Sequence, residues 1–118
     1  MEKKREAPII LYGASLRGQM ALDYFGKERV KYFCDGDKRK VGTFVDGIEV
    51  ISKEYLLEIK DEYEIVITSS KWKEIISELN GLGISGCKVF VVEKSVFSPE
   101  EYYNLKNSVR TAFEQCFK

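Results

Sequence analysis

The stretch Tyr12-Gly13-Ala14-Ser15-Leu16-Arg17-Gly18 reads as G-x-S-x-x-G directly after a short apolar run, Ile9 to Tyr12. In such a turn the first glycine permits a sharp reversal, the middle small residue lets a diphosphate approach the backbone, and the last lets a helix pack on the strand. The N–H groups at the start of that helix then face the phosphates. Ser15 stands where a second glycine is usual and adds a hydroxyl donor; Arg17 has the length and charge to reach a phosphate. Asp35 comes 17 residues after Gly18, at the end of the next apolar run, where a dinucleotide fold puts the carboxylate that accepts ribose hydroxyls. The nucleotide-binding set expected here is Gly13, Ala14, Ser15, Arg17, Gly18 and Asp35, joined by Ser69 from the run Thr68-Ser69-Ser70. The plainer alternatives are a tight turn without ligand, an Asp35-Gly36-Asp37 loop that only turns the chain, and a Thr68–Ser70 segment that only caps a helix. Lys38, Arg39 and Lys40 have the charge to neutralise a second phosphate, but the favoured reading of this run is a solvated loop edge.

Other chemistries fail on particular residues. Gly13 to Gly18 has the spacing of a P-loop, but Gln19 and Met20 occupy the positions that require lysine and serine or threonine. Ser15 lacks the glycine of a nucleophile elbow, and the chain has no histidine to activate it. That same absence removes an imidazole base and most zinc sites. Tyr102-x-x-x-Lys106 has the spacing of a dehydrogenase pair but falls in a terminal segment, where a core tyrosine and a surface lysine are expected. No catalytic residue and no metal ligand is assigned.

The elements that must position the turn follow from periodicity. Ile9–Tyr12, Val30–Cys34, Ile65–Ile67 and Val89–Val92 are short apolar runs of the kind buried on both faces of a parallel sheet. Leu16, Met20, Ala21, Tyr24 and Phe25 share one helical face, which stops at Gly26; Trp72, Ile75, Ile76 and Leu79 share another. Ser52 is placed to cap a short helix through Ile59. Asp46-Gly47, between two β-prone pieces, predicts a hairpin. Ser98-Pro99-Glu100-Glu101 has the form of a helix start, and a last helix is expected over 98–117. Strands alternating with helices predict an α/β, Rossmann-like three-layer sandwich in one domain spanning 1–118, with a mostly parallel sheet of order 3-2-1-4-5 or a shortened version and the hairpin as an edge insertion.

Composition narrows the setting. Nineteen basic residues against nineteen acidic ones leave no net field for nucleic acid or an anionic membrane. No stretch approaches the ~20 apolar residues of a membrane span. Three cysteines without a C-x-x-C pair suit a reducing cytoplasm and read as buried small apolar residues. In the expected last helix, Tyr102, Leu105, Val109, Ala112 and Cys116 form a stripe, widened by Phe113 and Phe117. That width points to a homodimer, or an adjacent catalytic domain, docked through this helix; the alternative is that the whole stripe packs on its own sheet.

From Ile9 to about Phe90 the chain resembles a widespread bacterial Rossmann-like domain. The likeness is carried by Tyr12–Gly18, by Phe33-Cys34-Asp35-Gly36-Asp37-Lys38 with Val41-Gly42, by Gly47–Ile51, and by the Tyr63–Ser70 strand and turn. It is similar to the N-terminal domain of polysaccharide-biosynthesis nucleotide-sugar epimerases and dehydratases and of sugar acyltransferases; related modules sit beside methyltransferase and glycosyltransferase domains. The resemblance implies that Gly13, Ser15 and Gly18 of the turn, with Asp35 and Asp37, bind NAD(P) or a nucleotide sugar, in polysaccharide or sugar-modifying biosynthesis, with catalysis on another domain or chain. Gly36 departs from it, standing where a second aspartate is common. The alternative is a structural or regulatory domain with an empty pocket that mediates assembly.

Overall fold

The structure, a computed structural model, describes residues 7–92 and 109–113. In chain order the elements are β1 (Ile9–Tyr12), α1 (Leu16–Phe25), β2 (Val30–Cys34), β3 (Phe44–Val45), β4 (Ile48–Ile51), α2 (Lys53–Ile59), a turn of 3-10 helix, β5 (Glu64–Ile67), α3 (Trp72–Gly81), β6 (Lys88–Val92) and β7 (Val109–Phe113). One sheet runs β3-β4-β2-β1-β5-β6-β7. Four neighbouring pairs, from β4·β2 through β5·β6, are parallel, while β3 and β7 close the two edges antiparallel. This is the expected Rossmann-like α/β sandwich.

Its layers follow from alternation along the strands. Ile9 and Leu11 of β1 face α1, packing with Met20, Ala21, Phe33, Val50 and Val66. Ile10 and Tyr12 face the other way, onto Leu56 of α2 and Ile76 and Leu79 of α3. Every residue of β1 is therefore buried, and full burial of each large apolar side chain contributes roughly 1.5–3 kcal/mol. A strand with this double burden lies at the centre of the sheet, between β2 and β5, and its carboxyl end lies between the two helical layers.

The hairpin is more than an insertion. Asp46 and Gly47 both have positive φ, 55° and 84°, as the tightest hairpin turn requires, and pair Val45 with Ile48. The second arm, β4, then runs parallel to β2, Phe33 opposite Val50 and Cys34 opposite Ile51. Counting β4 as the third parallel strand, the sheet has the order 3-2-1-4-5.

At the other edge the expected helix over 98–117 is corrected within 109–113, which form β7. Val109, Thr111 and Phe113 recur at period two, and residues of this type fit a strand when an open edge offers hydrogen bonds. Here β6 offers them, from Val92 opposite Val109 to Lys88 opposite Phe113. The helical stripe took the same residues at spacings of three and four. The rest of 98–117, including Tyr102, Leu105, Lys106, Cys116 and Phe117, lies outside the described residues.

Candidate functional site

The glycine turn leaves the carboxyl end of β1, where the chain passes to α1 on one face while β5 sends its chain to α3 on the other. Gly13 N–H donates to Cys34 O at 2.8 Å, fastening the turn to β2. Gly13 has φ +127°, a conformation that L side chains rarely adopt. A β-carbon there would also collide with Thr68 Oγ1 and lie 3.7 Å from Ser69 N. Gly18 is needed for space: a β-carbon on it would strike Gly13 O and come within 2.9 Å of Phe33 Cε1. The first and last glycines thus let the turn sit flush against β5 and let α1 press on β2.

Thr68, 2% exposed, closes the gap between β1 and β5. Its N–H donates to Tyr12 O at 2.9 Å, and its hydroxyl lies 3.1 Å from Tyr12 O and 3.0 Å from Gly13 O, sharing one hydrogen between them. Ser69 follows it, but its Oγ accepts from Lys71 N–H at 3.0 Å, a local turn ahead of α3, which has no side-chain cap hydrogen bond. Ser15 precedes α1 with an exposed side chain that makes no capping hydrogen bond. Arg17 lies on the first turn of α1, half-buried.

Asp35 is the hub. Its Oδ2 accepts from Ala14 N–H at 2.9 Å and its Oδ1 from Asp37 N–H at 2.9 Å, so one carboxylate orders both the glycine turn and the loop after β2. Lys40 Nζ comes within 3.8 Å of the same Oδ2. The structure therefore brings Gly13, Ala14, Gly18, Asp35 and Thr68 together and adds Lys40, one of the three cations that the less favoured phosphate reading of residues 38–40 had named. The loop folds back because Lys40 N–H donates to Asp37 O at 2.9 Å and Thr43 Oγ1 donates to Lys40 O at 2.6 Å. Asp37 lends the site only its N–H. Its carboxylate takes three bonds from Arg39, at 3.0, 3.1 and 3.0 Å, and these hold its pKa below the usual range.

Beneath the turn, on the α2 and α3 side, Tyr12 and Cys34 are both buried. Burial pushes the Cys34 thiol up to about 12, with the Asp35 charge adding to it. Burial also raises the Tyr12 phenol, with Cys34, Glu78 and Asp35 adding in turn. Both groups stay protonated at neutral pH. Beside them Lys53 pairs with Glu78, tying the start of α2 to α3.

Among the described residues no group of three His, Cys, Asp or Glu side chains is placed to hold a metal ion, and no helix is long and apolar enough to cross a membrane. The arrangement offers backbone N–H groups, one ordered carboxylate and a nearby ammonium. Such a set binds and orients polar groups.

A family model described as the C-methyltransferase C-terminal domain matches residues 1–93. Among solved structures, the chain is similar to UDP-D-quinovosamine 4-dehydrogenase from Vibrio fischeri, with a TM-score of 0.57 and 22% identity over 89% of this chain and 92% of that one. At that identity the likeness is one of fold. No curated protein matches the sequence. The two matches support a domain related to sugar biosynthesis, the coarser part of the resemblance, and do not carry its assignment to an N-terminal nucleotide-binding domain.

Proposed function

The chain belongs to the C-methyltransferase C-terminal domain family, and from that premise we propose that it is the module that holds a nucleotide sugar while another domain or chain transfers the methyl group. In this reading the N–H groups opening α1 receive the diphosphate, Lys40 and Arg17 neutralise it, and Asp35 accepts ribose hydroxyls through the lone pairs that Ala14 and Asp37 leave. The observation that carries it is Asp35, ordered by two backbone N–H groups at the mouth of the glycine turn. The likeness to a UDP-sugar enzyme supports the sugar. Of the two ligands that the sequence left open, the nucleotide sugar fits better than NAD(P). Methyl transfer moves no hydride, and the described sheet carries one glycine turn where a dinucleotide fold uses two nucleotide-binding halves.

Calorimetry against UDP- and TDP-sugars, UDP, NAD and NADP tests it. A nucleotide sugar should bind with a dissociation constant on the order of 1 μM, and Lys40→Ala should weaken it about tenfold by removing one charge-assisted contact. No heat from any nucleotide at millimolar concentration would end the proposal. The second reading, a domain whose pocket is empty and which mediates assembly, is favoured by the same hydrogen bond seen differently: Asp35 already occupies the Ala14 N–H. That outcome would leave Lys40→Ala without effect on any ligand.

A further inference from the structure

The end of the sheet opposite the glycine turn carries a cavity of about 510 Å3, within the roughly 300–1,000 Å3 of small-molecule sites. It opens between the segment that leads into β5 and the loop that leads into β6. Ile65, Ile84 and Cys87, all buried, form its floor, and Tyr63 forms a wall. Tyr63 is held from behind by Tyr32, with ring centroids 6.1 Å apart, and Tyr32 in turn by Tyr55 at 6.1 Å. An aromatic ring braced in this way is a firm platform.

The charges at this end are matched with one another. Lys60 Nζ donates to Asp61 Oδ1 at 2.9 Å. Glu64 receives Arg29 on Oε1 at 3.1 Å and Lys88 on Oε2 at 2.8 Å. A phosphate meets carboxylates here and an ammonium meets cations, so neither finds a net attraction. The lining offers an apolar floor, one aromatic face, and rim groups that both donate and accept, the Lys60–Asp61 pair and the exposed Ser85 hydroxyl. That combination suits a neutral ring with a C–H face and a fringe of hydroxyls, because the face stacks on tyrosine while the hydroxyls bond to ionised partners. We propose that this cavity binds a neutral saccharide ring, at a site separate from the glycine turn and independent of what the turn binds.

The test is amide chemical-shift mapping of the full chain, titrated with glucose, galactose and lactose, with inorganic phosphate and methylammonium as charged controls. At least one saccharide should give saturable shifts at Tyr63 and at Ile84 to Cys87, with a dissociation constant on the order of 1 mM, and neither ion should match it. Tyr63→Ala should weaken binding about tenfold. Should that variant not fold, Ser85→Trp, at the exposed rim, fills the cavity and should have the same effect. Shifts with no saccharide, equal shifts with either ion, or unchanged affinity in the folded variants would overturn the proposal. Saccharide shifts confined to Gly13–Gly18 would overturn it too, while leaving the nucleotide reading of the turn standing.

Discussion

Gly18 and Asp35 set the geometry of the turn by the atoms they touch. Gly18→Ala drives a methyl into Gly13 O and the Phe33 ring; backbone cannot yield as a side-chain end does, so the loss should reach about 3 kcal/mol, read from urea midpoints. Asp35→Ala orphans the Ala14 and Asp37 N–H groups and should cost roughly 1–3 kcal/mol. Asp35→Asn, which keeps one acceptor oxygen, should recover part of the stability and none of the charge. If Asp35→Ala unfolds at the wild-type midpoint, Asp35 does not order the turn. The role of Asp35 was half legible in the sequence. Its position at a strand end was plain from spacing, but its bond to Ala14 joins residues 21 apart and exists only once β1 and β2 are side by side. Lys40 was half legible for a similar reason: a run of three cations has the charge to meet a phosphate, but it looks solvated until the loop after Asp35 turns one of them back toward it.

Elements whose signals are local were readable: the Asp46-Gly47 turn, and α2, whose Ser52 Oγ accepts from Tyr55 N–H at 3.1 Å. Ser52→Ala should therefore destabilise by about 1 kcal/mol, and a change within experimental error would mean that the cap is idle. Between elements, Glu64 joins the start of β5 to Arg29 before β2 and to Lys88 of β6. Replacing it with alanine takes the shared carboxylate from two half-buried cations and should cost roughly 2 kcal/mol, a loss that high salt softens. What could not be read was β7. Val109–Phe113 satisfies a helical stripe and a strand alternation together, and the choice is made by the edge of β6, which lies far away in sequence and is formed only by the folded sheet.

For the whole molecule, the buried Tyr12 and Cys34 make stability depend on alkaline pH. The Cys34 thiol has an ordinary value of 9.0 and is raised to about 12 in the fold, so above pH 9 the unfolded chain releases a proton that the folded chain keeps. Stability should be full below about pH 9 and fall toward pH 12, by at most ~1.4 kcal/mol per pH unit for each such group. Tyr12→Phe should make the fall shallower above pH 10, the ordinary value of a phenol in this setting. A midpoint that stays flat through this range would show that the two groups ionise as easily in the fold as out of it. We propose above all that the turn at the carboxyl end of β1, with Asp35, receives the nucleotide end of a nucleotide sugar. Amide shift mapping with a UDP-sugar tests it most directly. Saturable shifts are expected at Ala14 to Gly18, Asp35 and Lys40, with half-saturation moved to about tenfold higher ligand in Lys40→Ala and no shifts with NAD. A protein that shows none at millimolar ligand, or shows them only at the far edge of the sheet, contradicts it.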